Sequence, residues 1–203
     1  NKRAVVYIDG FNLYFGIVEK GWRKYLWLDF IKFANSLLLT DQTLLHTKYF
    51  TSRMTKPVSK QRRQSLLIDA LSTLSQLSIF YGRYQAQVRT CENCGFSTFI
   101  SNEKKTDVNI ATEMMVDAFQ DSFDTTIIVS ADADLTAPIV AIRRLFPLKK
   151  IVVAFPPKRN SYELRSVAST HYYIGEHNFR DNLLPETVKI ASGYELKRPD
   201  KWK

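Results

Sequence analysis

The sequence predicts an α/β fold with a mainly parallel central sheet. Short apolar segments rich in β-branched and aromatic residues alternate with segments whose apolar residues recur at helical spacing. The first apolar segment, residues 4–8, shows no alternation of polar and apolar positions, as expected for a strand covered on both faces. Strands that alternate with helices form a doubly wound sheet with right-handed crossovers.

The later elements continue this alternation. Further strands are predicted at residues 44–52, 79–85, 125–131, 150–155 and 171–175, and helices at residues 60–77, 107–119, 135–145 and 161–168. The helix at residues 60–77 is assigned from apolar residues at helical spacing, which are Leu66, Leu67, Ala70, Leu71, Leu74 and Leu77. Thr106 is predicted to cap the helix that begins at Asp107.

Length and composition fit one domain. A chain of 203 residues with 45% hydrophobic residues can bury one core. We predict a domain at residues 1–180 with a cysteine-containing loop insertion at residues 88–105, followed by a C-terminal extension at residues 181–203. The ends of the loop and the basic tail at residues 197–203 are expected to be flexible.

Charge and hydropathy restrict the class of protein. Lys and Arg number 29 against 20 acidic residues, a net charge of +9, which suits a polyanionic partner or simply keeps the chain soluble. No apolar run is long enough to span a membrane, and the N-terminus has no secretory leader pattern. The two cysteines do not form a secreted disulfide framework, so we expect a cytoplasmic protein without a membrane partner.

Polar residues follow two of the predicted strands, where an open α/β sheet binds its ligands. Asp9 follows the first strand and Asn12 comes one turn later, while Asp132 and Asp134 follow the strand at residues 125–131. Asp107 begins a helix. We expect these side chains to converge on one volume.

Each of these residues also has a simpler interpretation. Asn12 and Asp134 could cap helices, and Asp107 could be favoured by the positive end of its helix. A cluster, however, would raise the pKa of each carboxyl group unless a cation neutralised it. An all-oxygen set selects Mg²⁺ or Mn²⁺, and the metal ligands expected are Asp9, Asp107, Asp132 and Asp134. Such ions catalyse the hydrolysis of phosphodiester bonds by activating a water molecule and stabilising the leaving oxygen.

Other catalytic classes have little support in the sequence. The three histidines form no HExxH motif, and no GxSxG, P-loop or GxGxxG motif occurs. A phosphotransferase with an Asp nucleophile would need a DxDx[TV] motif, whereas Asp9 is followed by Gly10, Phe11 and Asn12. The remaining alternative is a catalytically silent RNA-binding or scaffold protein that keeps the acidic pocket.

Three sequence blocks resemble the NYN-domain family, in particular its LabA-like branch. They are YIDGFNLYFG at residues 7–16, EKKTDVNIATEMM at residues 103–115 and IIVSADADL at residues 127–135. With the later strands, the resemblance covers residues 4 to about 175. It implies a PIN-like three-layer α/β/α sandwich and metal-dependent cleavage of RNA by an endoribonuclease.

The resemblance also carries site roles onto individual residues. It places Asp9, Asn12, Asp107 and Asp132 on metal and active-site positions and Asp134 on a supporting one. Ala131 and Ala133 depart from the family, which often has glycine or serine there; this changes backbone freedom but no ligand.

Basic and aromatic residues could bind the RNA. A phosphate-binding rim is one interpretation of the basic cluster after the second strand, and a solvated helix start is the other. The cluster consists of Arg53, Lys56, Lys60, Arg62 and Arg63, and the resemblance adds Lys105. Tyr14, Phe15 and Tyr162 could stack on unpaired bases or belong to the core.

Cys91 and Cys94 resemble half of a zinc ribbon. Tetrahedral zinc needs four ligands, so a second subunit in a homodimer or a distant histidine would have to complete the site. A free dithiol and a plain loop are the alternatives.

Overall fold

The structure is a computed structural model that describes the backbone of residues 1–203 and all side chains except those of residues 84–87, 89 and 98–104. The strands are β1 (Lys2–Asp9), β2 (Gln42–Thr51), β3 (Leu77–Tyr81), β4 (Arg83–Thr90), β5 (Ser97–Lys104), β6 (Thr125–Val129), β7 (Lys150–Phe155), β8 (Thr170–Tyr173), β9 (Thr187–Lys189) and β10 (Glu195–Lys197). The α-helices are α1 (Gly10–Glu19), α2 (Phe30–Ser36), α3 (Val58–Leu71), α4 (Thr106–Phe119), α5 (Thr136–Leu145), α6 (Tyr162–Val167) and α7 (Glu176–Arg180).

The central sheet has six strands in the order β3-β2-β1-β6-β7-β8. Each pair of neighbours in this sheet is parallel. The chain builds outward from β1 in one direction and from β6 in the other, so the strand order reverses between these two central strands. This is the place where doubly wound sheets open a crevice at the carboxyl ends of their strands.

Helices cover both faces of the sheet and confirm the predicted α/β/α sandwich. Alternate residues of β1 enter different cores: Val6 and Ile8 pack with α1, α2, α3 and α7, whereas Val5 and Tyr7 pack with α4, α5 and α6. This explains why the first strand shows no alternation of polar and apolar residues. In the chain as described, no helix combines the length and apolar character needed to cross a membrane.

Two predicted element boundaries are wrong for local reasons. The helix predicted to reach residue 77 ends at Leu71, where the hydroxyls of Ser72 and Thr73 donate to the carbonyls of Ile68 and Ala70. These bonds offer the backbone an alternative to further helix. The strand predicted at residues 79–85 is divided at Gly82 between the central sheet and β4. The helical spacing of Leu77 was therefore coincidental.

The C-terminal tail packs against the rest of the domain, whereas the sequence predicts a flexible addition at residues 197–203. Trp202 is 6% exposed, and its ring centroid lies 6.4 Å from that of Trp27. Arg198 donates to the carbonyl oxygens of Lys24 and Trp202. Burial of a large aromatic ring fixes the tail on the α1 side of the sheet. The boundary predicted at residue 180 stays a prediction.

The predicted insertion at residues 88–105 forms part of an antiparallel hairpin of β4 and β5, which is separate from the central sheet and already begins at Arg83. Cys91 and Cys94 lie in the turn between these strands. The side chains of residues 89 and 98–104 in this predicted insertion lie outside the described part of the structure. Its character as an insertion stays a prediction.

Candidate active site

The two central strands deliver acidic residues to the same edge of the sheet. Asp9 is the last residue of β1, and Asp132 comes three residues after the end of β6, which pairs with β1 in parallel. Asp107 reaches the edge from the first turn of α4. One carboxylate oxygen from each of Asp9, Asp107 and Asp132 lies within 4.8 Å of the other two. The structure thus brings together three of the four predicted metal ligands.

Asp134 stands beside this group rather than in it. The residue is exposed, and its backbone N–H donates to Oδ1 of Asp132 at 3.0 Å. Asp132 therefore caps the short 3₁₀ turn at Ala133–Leu135, and Asp134 belongs to that turn. The alternative in which Asp134 is itself the cap is wrong, because the capping residue, Asp132, lies two positions earlier.

Asp9 is fixed by four hydrogen bonds. Its Oδ1 accepts from the backbone N–H groups of Phe11 and Asn12, so Asp9 rather than Asn12 caps α1. Its Oδ2 accepts from Nδ2 of Asn12 at 2.6 Å and from Oγ of Ser130 at 2.7 Å. Asp9 is 2% exposed. A buried carboxylate held in this way cannot rotate without losing several bonds.

Asn12 and Ser130 tie β1 to the loop after β6. Oδ1 of Asn12 accepts from the backbone N–H of Ala131 at 3.3 Å, and Oγ of Ser130 accepts from the N–H of Asp132 at 3.0 Å. Asn12 thus lies against Asp9, and its role in a site stays a prediction. Ser130 was missed because a lone serine after a strand carries no distinctive pattern, although it stands in the SADAD block.

The electrostatics of the group are unfavourable without a cation. Burial raises the pKa of Asp9 above its ordinary value. Burial, followed by the neighbouring charges of Asp132, Asp9 and Asp134, raises the pKa of Asp107 to about 6. Among the described side chains, no Lys or Arg nitrogen lies within 4.0 Å of these carboxylates.

The donor set fits a hard divalent cation. Three carboxylate oxygens supply negative charge and no sulfur or imidazole. Mg²⁺ binds oxygens at about 2.0–2.1 Å, so two ligands on opposite sides of one ion lie about 4 Å apart. The three oxygens all lie within 4.8 Å of one another, which is near enough for them to share one ion. A bound cation would relieve the repulsion that raises the pKa of Asp107.

Gly10, directly after Asp9, allows α1 to start close to β2. A Cβ there would lie 2.7 Å from the carbonyl oxygen of Phe50 and 2.7 Å from a ring atom of Tyr49. Such distances are too short for a real side chain, so only glycine permits this approach. The close packing places the N-terminus of α1 between the acidic group and a neighbouring cavity.

That cavity has a volume of about 120 Å³ and lies between α1, the end of β2 and α3. Its walls are mainly aromatic and apolar, with two basic side chains. The lining residues are Gly10, Phe11, Tyr14, Phe15, Leu26, Tyr49, Thr51, Met54, Lys60, Arg63, Gln64, Leu67 and Trp202. Trp202 and Tyr49 could not be expected here from the sequence, since neither is near the site along the chain.

The predicted RNA-binding residues are spread around the cavity and the acidic edge. Lys60 and Arg63 line the cavity, and the guanidinium of Arg53 lies 4.9 Å from the ring centroid of Tyr81. Lys56 and Arg62 are exposed. Lys105 is exposed at the start of α4, two residues before Asp107, with a backbone φ of 79°.

Lys105 occupies the N-cap position of α4, so the prediction that Thr106 caps this helix is wrong. Thr106 is the first helical residue and is 3% exposed. A buried threonine inside the first turn is therefore part of the helix rather than its cap.

Comparison with known proteins gave three results. The family model described as the NYN domain matches residues 3–175. A search of the curated proteins found no match to this chain. A solved structure, that of a protein of unknown function, VPA0982, from Vibrio parahaemolyticus, is similar with a TM-score of 0.56 and 17% sequence identity. The similarity covers 90% of this chain and 96% of that one, and it supports the fold.

Proposed function

Because this chain belongs to the NYN domain family of PIN-like nucleases, we propose that it is a metal-dependent endoribonuclease. The observation that carries the proposal is the group of Asp9, Asp107 and Asp132 at the carboxyl edge of the sheet, which has no basic partner among the described side chains. The three motif blocks further suggest the LabA-like branch of the family. The exposed free cysteines suit a reducing compartment, and we propose the cytoplasm.

Asp9, Asp107 and Asp132 would hold Mg²⁺ or Mn²⁺, with Asp134 in a supporting position. When bound, such an ion activates a water molecule and neutralises charge on the scissile phosphate. Asp9 offers an oriented oxygen because Asn12 and Ser130 hold its carboxylate in place. Asn12 and Ser130 are therefore positioning residues, and they also hold the loop that carries Asp132.

The cavity beside α1 suits an unpaired base of the RNA. Tyr14 and Phe15 offer aromatic surface, while Lys60 and Arg63 offer positive charge for the adjoining phosphates. Apolar cavities on the order of 150 Å³ accept a single six-membered ring, so a partly open cavity of 120 Å³ is of the right size. We propose that Arg53, Lys56, Arg62 and Lys105 extend the phosphate contacts.

Cleavage assays test the proposal. Labelled single-stranded RNA, hairpin RNA and single-stranded DNA are incubated with the protein in Mn²⁺, Mg²⁺ or EDTA. We expect internal cleavage of single-stranded RNA with either ion and none in EDTA. Failure of the wild-type protein to shorten any RNA in Mn²⁺ would contradict the proposed activity.

Asp9→Asn and Asp29→Asn form a matched pair for this assay. Asp29 caps α2 through the backbone N–H groups of Ile31 and Lys32, much as Asp9 caps α1. Asn accepts the same capping bonds, so both variants should fold. We expect Asp9→Asn to lose at least about a hundredfold in rate because a metal ligand is weakened. Asp29→Asn should cleave normally.

A catalytically silent RNA-binding protein is the second candidate. It is favoured by the cavity and the basic residues, which could bind RNA without a metal. In that case RNA would bind equally well in Mn²⁺ and EDTA and remain intact. In either case the affinity for RNA should fall as the salt concentration rises. Replacing both Arg62 and Arg63 by Ala should lower the slope of log affinity against log salt concentration by about one to two units if both side chains contact phosphates.

A further inference from the structure

Two backbone hydrogen bonds and a left-handed glycine shape the turn between β4 and β5. The N–H of Cys91 donates to the carbonyl of Phe96 at 2.8 Å, and the N–H of Gly95 donates to the carbonyl of Cys91 at 2.9 Å. Gly95 has a φ of 69°, a left-handed conformation that glycine adopts without strain. These features close residues 91–96 into one tight turn and bring both cysteines to its outside.

The two sulfur atoms are neighbours in this turn. Sγ of Cys91 accepts hydrogen bonds from the backbone N–H groups of Asn93 and Cys94 and from the thiol of Cys94. Both cysteines are free and exposed. The turn thus presents two adjacent, exposed sulfur atoms, the ligand type that soft metals such as zinc bind.

We propose that Cys91 and Cys94 form half of a tetrahedral zinc site, which a second copy of this chain completes with the same two cysteines. Zinc in structural sites takes four ligands. Among the described side chains, the group of three or more potential ligands is the acidic one at the sheet edge, and it does not include these cysteines. At the turn, the described side chains therefore supply two ligands, Cys91 and Cys94.

A twofold axis through the zinc ion satisfies this requirement. In a symmetric dimer each copy contributes the same surface, so two ligands from one chain become four in the assembly. Apolar side chains near the turn support such an interface. Phe96 is 69% exposed and Val88 is 58% exposed, and both would be covered when two hairpins meet.

The proposed zinc site is chemically separate from the acidic group. Thiolates select zinc over Mg²⁺ and Mn²⁺, whereas carboxylates alone favour the harder ions. The dimer is therefore expected whether or not the protein cleaves RNA. Its test uses metal content and mass, which do not depend on nuclease activity.

The experiment measures zinc and molecular mass on the full chain purified without chelators. We expect one zinc ion for every two chains by atomic emission and a mass twice that of the 23.5 kDa chain by light scattering. Removing zinc with a strong chelator should give monomers, and adding zinc should restore the dimer. Cobalt in place of zinc should give the visible spectrum of a tetrahedral tetrathiolate site.

The double variant Cys91→Ser with Cys94→Ser provides the decisive comparison. It should lose zinc and become monomeric, while its circular dichroism spectrum stays close to wild type because the turn is exposed. Asp9→Asn should keep both zinc and dimer, since it changes only the acidic group. This pair separates the cysteine site from the carboxylate site.

Several results would overturn the proposal. One zinc per monomeric chain would mean that this chain completes the site alone. Zinc retained by the double variant would place the metal elsewhere. A dimer that persists in chelator, or a zinc-free chain with a Cys91–Cys94 disulfide under reducing conditions, would remove zinc from the interface.

Discussion

One helix, α4, carries acidic residues in two opposite situations. In its first turn, Asp107 faces Asp9 and Asp132 without a basic partner among the described side chains. Two and three turns later, Glu113 and Asp117 share Nζ of Lys48, at 2.7 Å each. Asp117 also accepts a hydrogen bond from Tyr7 and is 5% exposed. The same helix thus holds compensated and uncompensated carboxylates.

The comparison shows what a missing cation does. At the amino edge of the sheet, a hydrogen bond from Arg3 lowers the pKa of Asp124 to about 2, whereas burial and like charges raise the pKa of Asp107 to about 6. Asp117 and Asp124, which lie outside the acidic group, are thus each paired with a Lys or Arg. At the carboxyl edge, the carboxylates of the acidic group repel one another. Functional sites often keep such unfavourable interactions at the expense of the stability of the fold.

The largest expected effect is at the compensated end of α4. Lys48→Met removes the cation while keeping a side chain of similar length, and leaves Glu113 and Asp117 without a basic partner among the described side chains. Breaking a buried ion pair in this way costs about 3–5 kcal/mol, which urea unfolding at neutral pH would measure. Lys60→Met, at an exposed position, should change stability by less than about 0.5 kcal/mol. A loss below about 1 kcal/mol for Lys48→Met would show that Lys48 does not compensate these acids.

At the uncompensated end, Asp132→Asn should lower the cleavage rate by at least about a hundredfold, equivalent to about 3 kcal/mol. The melting temperature in EDTA should stay unchanged or rise slightly, because Asn can still accept from the N–H of Asp134 while one charge disappears. Asp124→Asn is the control: it should melt lower through loss of the Arg3 pair and cleave normally. A variant at Asp132 that melts several degrees lower yet cleaves RNA normally would make this residue structural.

Much of the acidic group could be predicted from the sequence. Asp9 and Asp132 follow apolar strands, and parallel neighbours end at one edge, so their meeting follows from the strand pattern alone. Asp107 was placed by the resemblance and by its helix start. The sequence could not show that Asp132 joins the acidic group and Asp134 does not, because the direction of each side chain depends on a single backbone turn.

The compensating partners could not be predicted. Lys48 lies on β2 and meets residues of α4 that are 65 and 69 positions away, and strand alternation does not say which acid a lysine will contact. Trp202 stands between Lys201 and Lys203, so the sequence predicts a flexible basic tail at this position rather than a buried ring. Long-range contacts between single residues leave no periodic pattern in a sequence.

A matched pair of variants on α4 tests the contrast directly. Asp107→Asn in EDTA should raise stability by about 1 kcal/mol, since it removes a charge from a repulsive group that is half-exposed and therefore screened. Asp117→Asn should lower stability by about 1–3 kcal/mol, since Lys48 loses one of its two acids. Thermal unfolding of both variants would measure this. Shifts of the same sign would remove the distinction between the two ends of the helix.

The smallest expected effect is the pH dependence of the metal-free protein. Asp107 ionises near its ordinary value of 3.8 in the unfolded chain, but the folded chain raises its pKa to about 6. Between these values the folded state holds a proton that the unfolded state has lost, so stability falls as pH rises from about 4 to about 6. The opposite holds for Asp124, whose lowered pKa adds stability above pH 4 that is lost as pH falls towards 2.

Urea unfolding in EDTA at several pH values would therefore separate the two carboxylates. A shift of two units corresponds to about 3 kcal/mol at full strength, and solvent screening of the half-exposed Asp107 reduces this to about 1 kcal/mol. Between pH 4 and 6, wild type should lose about this much stability relative to Asp107→Asn, whereas Asp124→Asn should follow wild type in this range and differ from it mainly in its dependence below pH 4. Parallel curves for wild type and Asp107→Asn between pH 4 and 6 would mean that Asp107 is not strained by its neighbours, and the case for a cation-binding group would lose its electrostatic support.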